Sequence, residues 1–350
     1  MKILIIGASG YIGSHVAAVS AGAGHQVSAL HRPGGAPLPR QYTAVTGDLA
    51  EPGSLTAAAA GYDRVIHAGP PIEDDTDRAG AEALLASGSP LLYTTGAAVL
   101  GAGAQDEDSP ADPHPIAAGR PAIEQSVLRS GGWVIRPGMV YGDGGGLVHG
   151  LLTAIAAERG TGVYIGPPGT RWPVVHVDDL AALYLAVATR AAPSTIWHGV
   201  SETIRLDAIA TALGGGAAVS WPASEARAEL GLLADLFTRD QDVSSGKTRA
   251  VLDWTPARTS IIKYLTARPA HHQGAPTGNC DHAKLSGRMP GGHATSAAGT
   301  DQSFGAAPSD RSTDAAGGQN GRDDQRSSDT RLALVVSRRL GRSVGAWDPA

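Results

Sequence analysis

Apolar positions along the first 200 residues fall into two rhythms. Short apolar runs recur at Lys2–Ile6, Gln26–His31, Thr43–Thr46, Arg64–His67, Leu91–Thr95 and Trp133–Arg136. Each is too short for a helix and is bounded by glycine, proline or polar residues, so each predicts a strand. Between them, Tyr11–Ala23, Thr76–Ser87 and Arg120–Arg129 carry helical spacing. Strands with near-continuous apolar character, alternating with helices, predict a parallel sheet covered on both faces.

The pattern changes near Gly142. Leu147–Arg159, Asp178–Thr189, Arg205–Leu213 and Ser244–Leu252 read as helices, with short strands at Val163–Ile165 and Thr195–His198. This mixture predicts a smaller α/β lobe beside the carboxyl edge of the sheet. A second change comes near Pro269. From there to about Thr330, small and polar residues dominate, and Leu285, Met289 and Phe304 stand isolated. Such a stretch buries too little apolar surface to offset its conformational entropy and is expected to be disordered. Leu332–Val336 is too short to form a domain. His271, His272, His282 and His293 read as solvated tail residues rather than metal ligands. An extension of the kind a frameshift produces is one reading of this tail. The expected division is a dinucleotide-fold core at 1–142, a lobe at 143–268 interleaved with the end of the sheet, and a tail at 269–350.

Composition narrows the function classes. The chain has 350 residues, a formal net charge of -5 and one cysteine, Cys280. A mildly acidic chain lacks the broad basic field of a nucleic-acid binder. One cysteine forms no intramolecular disulfide, and no Cys/His cluster has zinc-ligand spacing, so no metal is expected. No apolar run approaches the ~20 residues that span a bilayer, and the first residues lack a signal peptide's long apolar region. A soluble, cytoplasmic protein with no membrane partner is the expectation.

The strongest chemical signal is Gly7-Ala8-Ser9-Gly10-Tyr11-Ile12-Gly13, placed directly after the first strand and opening the first helix. Glycines there permit backbone angles that a side chain blocks and let the chain approach a pyrophosphate closely. The helix amino end offers N–H groups and a positive dipole end to that anion. The bland reading is an ordinary strand–helix turn. The second strand ends Leu30-His31-Arg32, without the carboxylate that NAD-preferring sites place on the ribose hydroxyls. Arg32 could instead pair with a 2′-phosphate, assisted by Ser9 and His31, which favours NADP with NAD still open. Arg32 could also simply face solvent before Pro33.

The Gly-x-x-Gly-x-x-Gly spacing resembles extended and atypical short-chain dehydrogenases/reductases, including the NAD-dependent epimerase/dehydratase family. Gly47-Asp48-Leu49, Val65-Ile66-His67-Ala68-Gly69, Arg136-Pro137-Gly138-Met139-Val140-Tyr141-Gly142 and Trp172-Pro173-Val174-Val175-His176-Val177-Asp178-Asp179-Leu180 resemble further segments of that family in order, together covering roughly residues 1–265. The resemblance implies a doubly wound parallel Rossmann sheet. It implies that Asp48 meets the adenine amino group and Leu49 lines its pocket. It also sets Ala68 and Gly69 beside the cofactor ribose, and the segment with Pro137 beside the nicotinamide. Gly7, Ser9, Gly10, Tyr11, Ile12 and Gly13 would hold the diphosphate.

In this superfamily a Tyr exchanges the substrate proton, a Lys four residues later lowers its pKa and holds the nicotinamide ribose, and a Ser or Thr polarises the substrate. The resemblance assigns the last role to Thr95, with Thr94 second; a Thr that merely pairs in the sheet or caps a turn is the plainer alternative. If Glu124 matches the family's acidic residue, the Tyr position falls on Ile116 and the Lys position on Arg120. Ile116 has no proton to donate. Arg120 stays charged and binds a ribose or phosphate rather than relaying protons. Tyr141 is a substitute candidate, though a Tyr there also packs against the lobe. Arg171 could hold an anionic or hydroxylated substrate group. His176 is a substrate-contact candidate whose plainer reading is a structural hydrogen bond. Asp178 and Asp179 are expected to cap the following helix. The function expected is NAD(P)-dependent redox or epimerase chemistry on a small hydroxylated molecule, such as a sugar nucleotide or a sterol-like compound. A catalytically silent dinucleotide sensor is the alternative. The resemblance also allows a homodimer.

Overall fold

The computed structural model describes residues 1–35, 38–69 and 74–267. The expected tail at 269–350 lies outside these residues. In chain order the core opens β1 (Lys2–Ile6), α1 (Tyr11–Gly22), β2 (Gln26–His31), β3 (Thr43–Thr46), α2 (Pro52–Ala59), β4 (Arg64–His67), α3 (Asp74–Ala86) and β5 (Leu91–Thr94). Then come β6 (Gly103–Gln105), α4 (Arg120–Arg129), β7 (Trp133–Pro137) and β8 (Met139–Tyr141). The remainder holds α5 (Thr153–Arg159), β9 (Gly162–Ile165), β10 (Arg171–His176), α6 (Val177–Arg190), β11 (Thr195–Gly199), β12 (Glu202–Arg205) and α7 (Leu206–Leu213). The last elements are β13 (Ala218–Trp221), α8 (Ala223–Leu230), α9 (Leu232–Thr238), β14 (Gln241–Val243), α10 (Gly246–Leu252) and α11 (Ile261–Ala267).

Seven strands form one sheet in the order β11-β7-β5-β4-β1-β2-β3, and every pairing in it is parallel. Alternation within β1 shows why both faces are apolar. Ile3 and Ile5 point into a cluster with Val16 and Ala17 of α1 and Leu180, Leu183 and Val187 of α6. Leu4 and Ile6 point the other way, against Leu55 of α2, Leu84 of α3 and Ile123 and Val127 of α4. Successive side chains of a strand face opposite ways, so a strand buried on both sides must be apolar throughout. The doubly wound sheet expected from the sequence is present.

The lobe has its own core around Leu151, Ile155, Val163, Trp172, Ile209, Trp221 and Phe237, where the rings of Trp172 and Phe237 stack with centroids 4.7 Å apart. β10 joins β12 antiparallel and β8 parallel; β9 pairs with β13 and β14 with β6. The helix expected at Leu147–Arg159 is divided, with a π-helical turn at Val148–Leu152 ahead of α5. β11, α6 and α10 return to the main sheet, so the lobe is threaded through the core rather than appended to it. Among the described residues, no helix is long and apolar enough to cross a membrane.

Candidate functional site

Because the seven strands are parallel, their carboxyl ends lie along one edge, the place where open α/β sheets take ligands. Across β3, β2, β1, β4, β5 and β7 that edge carries Asp48–Leu49, His31–Arg32, the Gly7–Gly13 loop, Ala68–Gly69, Thr94–Thr95 and Pro137. Residues expected separately to touch a dinucleotide thus lie side by side in sheet order.

The glycine loop is shaped by close approach. Gly7 has φ +82°, and a Cβ there would lie 2.7 Å from the Ala68 carbonyl oxygen and 2.8 Å from Gly69 Cα. A Cβ on Gly13 would lie 2.0 Å from the Gly7 oxygen. The Gly10 amide donates to that oxygen at 2.8 Å, folding the turn tightly over β1. Ser9 and Gly10 are exposed at its crown. Gly10 is the N-cap of α1, and no side chain caps this helix. Uncapped first-turn amides behind a glycine turn match the donor set a diphosphate requires. Ile12, in that first turn, is half-buried against the core of α1 and α6.

Leu49 closes one side: its Cδ1 would lie 3.3 Å from a Cβ on Gly69. Asp48 accepts from the Ala50 amide at 2.9 Å, which turns the chain after β3. His31 and Arg32 embrace the turn at Gly35, whose amide donates to the Arg32 carbonyl at 3.0 Å. The Arg32 side chain is exposed, and no hydrogen bond or ion pair to the described residues engages its guanidinium. These residues fit a nicotinamide dinucleotide, with Gly7, Gly10 and Gly13 leaving room for its diphosphate.

At the end of β5 two threonines face different ways. Thr94 is buried; its hydroxyl donates to the His67 carbonyl at 2.5 Å and lies 2.6 Å from the Tyr184 hydroxyl. Thr95 is partly exposed and donates to Glu124 Oε1 at 2.6 Å. Glu124 is buried and is also gripped by Arg136, through Nε at 3.0 Å and Nη2 at 2.5 Å. Arg136 Nη1 and His198 Nε2 are buried without a partner among the described residues, on residues paired between β7 and β11. Burial holds the His198 imidazole below its ordinary pKa, with the Ser244 carbonyl opposing. Its Nδ1 lies 2.9 Å from that carbonyl and must donate to it, so the neutral ring carries its lone pair on Nε2.

Arg120 is buried, donating to the Thr94 carbonyl at 3.1 Å and to Asp77 Oδ2 at 2.9 Å. The Tyr93 hydroxyl reaches the same Asp77 oxygen at 2.9 Å. Burial raises the Asp77 carboxyl, opposed by Arg120 and the Tyr93 hydrogen bond. Arg120 therefore braces β5 against α3. Ile116 sits in a 3-10 turn and packs its side chain between the lobe core and the cluster of Val99, Leu100 and Val200.

The Tyr141 hydroxyl donates to the Arg258 carbonyl at 3.0 Å, and the ring is buried beside His176 and Tyr264. That hydroxyl is engaged by the segment between α10 and α11. Arg171 is held by Asp240 (2.8 Å) and Asp242 (2.7 Å), both reaching it from beyond the lobe helices. His176, rather than Asp178 or Asp179, caps α6: its Nδ1 accepts from the Asp178 amide at 3.2 Å. Asp178 instead binds His15 Nδ1 at 2.7 Å and Arg258 at 3.0 Å. Asp179 accepts from the amides of Ala257 (3.0 Å) and Arg258 (2.8 Å). The expected capping by these two carboxylates is corrected: the imidazole reaches the amide first, and partners distant in sequence take the carboxylates.

Sequence reasoning passed over the Tyr11–Gly142 bond, in which the phenol donates to the carbonyl at 2.8 Å and joins the first helix to the lobe's entrance. It also left Glu124 as a marker rather than a partner of Thr95. Its one signal was the spacing of four between Arg120 and Glu124, which aligns both on one face of α4.

Residues 3–197 match the model of the NAD dependent epimerase/dehydratase family. An uncharacterized protein of Saccharomyces cerevisiae is 30% identical over 295 residues, covering 76% of this chain and 98% of its own. The UDP-glucose 4-epimerase of Thermus thermophilus, solved in complex with NAD, superimposes with TM-score 0.60 at 21% identity over 76% of this chain and 97% of that one. The UDP-glucose 4-epimerase of Thermotoga maritima, solved with UDP-glucose, gives TM-score 0.62 at 18% identity over 76% and 96%. These two likenesses concern the fold, while the family match reaches from β1 into β11. This chain belongs to the NAD-dependent epimerase/dehydratase family.

Proposed function

We propose that the protein is an NADP-linked oxidoreductase or epimerase acting on a hydroxyl or carbonyl group of a small molecule. The observation that supports it most is the carboxyl edge itself: a glycine cradle at β1, an exposed and unengaged Arg32 at the end of β2, and a partly exposed Thr95 hydroxyl at the end of β5. Gly7, Ser9, Gly10, Tyr11, Ile12 and Gly13 hold the diphosphate; Arg32, with His31 and Ser9, takes the 2′-phosphate; Asp48 and Leu49 receive the adenine; Ala68, Gly69, Thr94 and Pro137 flank the nicotinamide riboside. A bound nicotinamide supplies the hydride half of an alcohol–carbonyl interconversion, and Thr95 orients the reacting oxygen. Sugar nucleotides are the leading substrate class, since the similar Thermotoga maritima epimerase was solved with UDP-glucose. The reading leaves Arg120, Tyr141, Arg171 and His176 as structural residues, because each is committed to protein partners. It also carries a cytoplasmic location and pairing into a homodimer.

A second reading is a dinucleotide sensor without turnover, favoured by Ile116 at the usual Tyr position. Calorimetry with NADPH and NADH, followed by NADPH oxidation with aldehydes, ketones and 4-keto sugar nucleotides, separates the two. Saturable binding with turnover supports the enzyme. Binding without turnover supports the sensor, and no binding of either coenzyme overturns both.

A further inference from the structure

An alcohol–carbonyl interconversion moves a proton as well as a hydride, and Ile116 supplies none. We propose that Glu124, acting through Thr95, is the proton acceptor and donor of this site. This rests on the oxidoreductase reading above and deepens it.

Thr95 is the partly exposed member of the pair at the end of β5, and its hydroxyl hydrogen points inward at Glu124 Oε1, 2.6 Å away. With its one proton committed to the carboxylate, the Thr95 oxygen offers lone pairs outward. It therefore accepts a hydrogen bond from a substrate hydroxyl. Glu124 is fixed by Arg136 at both carboxylate oxygens, so its distance from Thr95 is set by the core and not by solvent. In the oxidising direction a bound dinucleotide would accept the carbon-bound hydrogen with its electron pair. The substrate O–H proton passes to Thr95 Oγ1 while the Thr95 proton passes to Glu124 Oε1, and the carbonyl forms. When product leaves, water at Thr95 takes the proton back along the same path and Glu124 returns to a carboxylate. Reduction runs the same transfers backward. Glu124 and Arg136 are buried, and Thr95 is the partly exposed member of this route.

Arg136 is a positioning residue in this scheme. His198 is its partner on the neighbouring strand.

The test uses the full chain with NADPH and three carbonyl probes: benzaldehyde, cyclohexanone and a 4-keto sugar nucleotide. Thr95→Val should lower kcat by about 10²–10³-fold, Thr95→Ser by less than about tenfold, and Glu124→Gln by about 10²-fold. NADPH affinity by calorimetry should stay within about threefold in all three, because none of these side chains is placed on the coenzyme. Independently of turnover, the infrared carboxylate stretch assigned by Glu124→Gln should shift in coenzyme-free Thr95→Val, since it loses a short hydrogen bond. Thr95→Val with unchanged kcat, or with an unshifted carboxylate stretch, overturns the relay and leaves the oxidoreductase reading intact. Wild-type protein that binds NADPH yet reduces none of the probes overturns the relay together with that reading. If Glu124→Gln fails to fold, the two Thr95 variants and the infrared shift still decide.

Discussion

Gly13 has no room for a side chain, and the obstacle is main chain: a Cβ there would overlap the Gly7 carbonyl at 2.0 Å. Neither partner is a flexible tip that can swing away, so Gly13→Ala must pull α1 off β1. The expected outcome is loss of measurable NADPH binding by calorimetry and a fall in unfolding free energy of about 1–3 kcal/mol from overpacking. Arg32 tests charge instead of space. Its guanidinium has no partner among the described residues, so Arg32→Ala should leave stability within about 0.5 kcal/mol of wild type. It should weaken NADPH by about 10–100-fold, the worth of a charge-assisted pair at about 1.5–3 kcal/mol, and NADH hardly at all. Equal losses for both coenzymes would remove the 2′-phosphate from the assignment. At this scale the tight turn at Gly7–Gly13 was legible because its meaning lies in local backbone geometry. Arg171 was not legible. Its exposed-looking charge is taken by Asp240 and Asp242, about seventy residues onward, and no local pattern announces such a pairing.

Secondary-structure elements were legible where burial imposes a rhythm. The strands of the central sheet and α1, α3, α4 and α6 match the apolar pattern to within about two residues, because each must serve one or both faces of the sheet. β6, β8, β10, β12, β13 and β14 went unread. They are short, β10 contains Pro173, and each is stabilised by pairing with distant strands rather than by its own alternation. The elements also carry buried charge. Arg136 of β7 and Glu124 of α4 are both buried and bonded, so Arg136→Met should strand a carboxylate in the core and cost about 3–5 kcal/mol in urea unfolding. Adding Glu124→Gln should recover a large part of that loss; no recovery would mean that the arginine acts through packing alone. His67, at the end of β4, adds a pH dependence. Burial, followed by the Arg120 charge, pushes its pKa down to about 4 from an ordinary 6.5. A depressed histidine binds fewer protons folded than unfolded, so its contribution is complete above about pH 6.5 and is lost as pH falls toward 4. Burial likewise depresses His114, His176 and His198, so the acid limb should be steep. His67→Phe should flatten it by up to about 3 kcal/mol between pH 6.5 and 4, read from unfolding free energies across that range.

At the largest scale the described residues form a seven-stranded sheet with a lobe threaded through it, and the seam between them is drawn tight around α1. Tyr11 donates to the Gly142 carbonyl at 2.8 Å, and its ring fills the space that any side chain on Gly145 would need. One turn on, His15 reaches Asp178 at 2.7 Å and Asp143 at 3.6 Å. From the other side the Gly144 amide donates to the Tyr264 hydroxyl at 3.3 Å. The helix whose amino end is assigned to the diphosphate therefore also grips the loop 142–146 that leads into the lobe. None of these partners is near in sequence, which is why the seam could not be read from spacing, although the two segments it joins were. If the grip is real, ordering the first turn of α1 should order the loop too. In wild type, NADPH should slow hydrogen exchange of amides 142–146 along with those of 9–13. Tyr11→Phe removes one hydrogen bond, worth about 1 kcal/mol, and leaves the glycine cradle in place. It should raise loop exchange about fivefold without coenzyme, and NADPH should then protect 9–13 while protecting 142–146 much less. Equal protection of both segments in the variant would mean that the lobe follows the core through the sheet strands alone, and that the contact at Gly142 is merely where two surfaces meet.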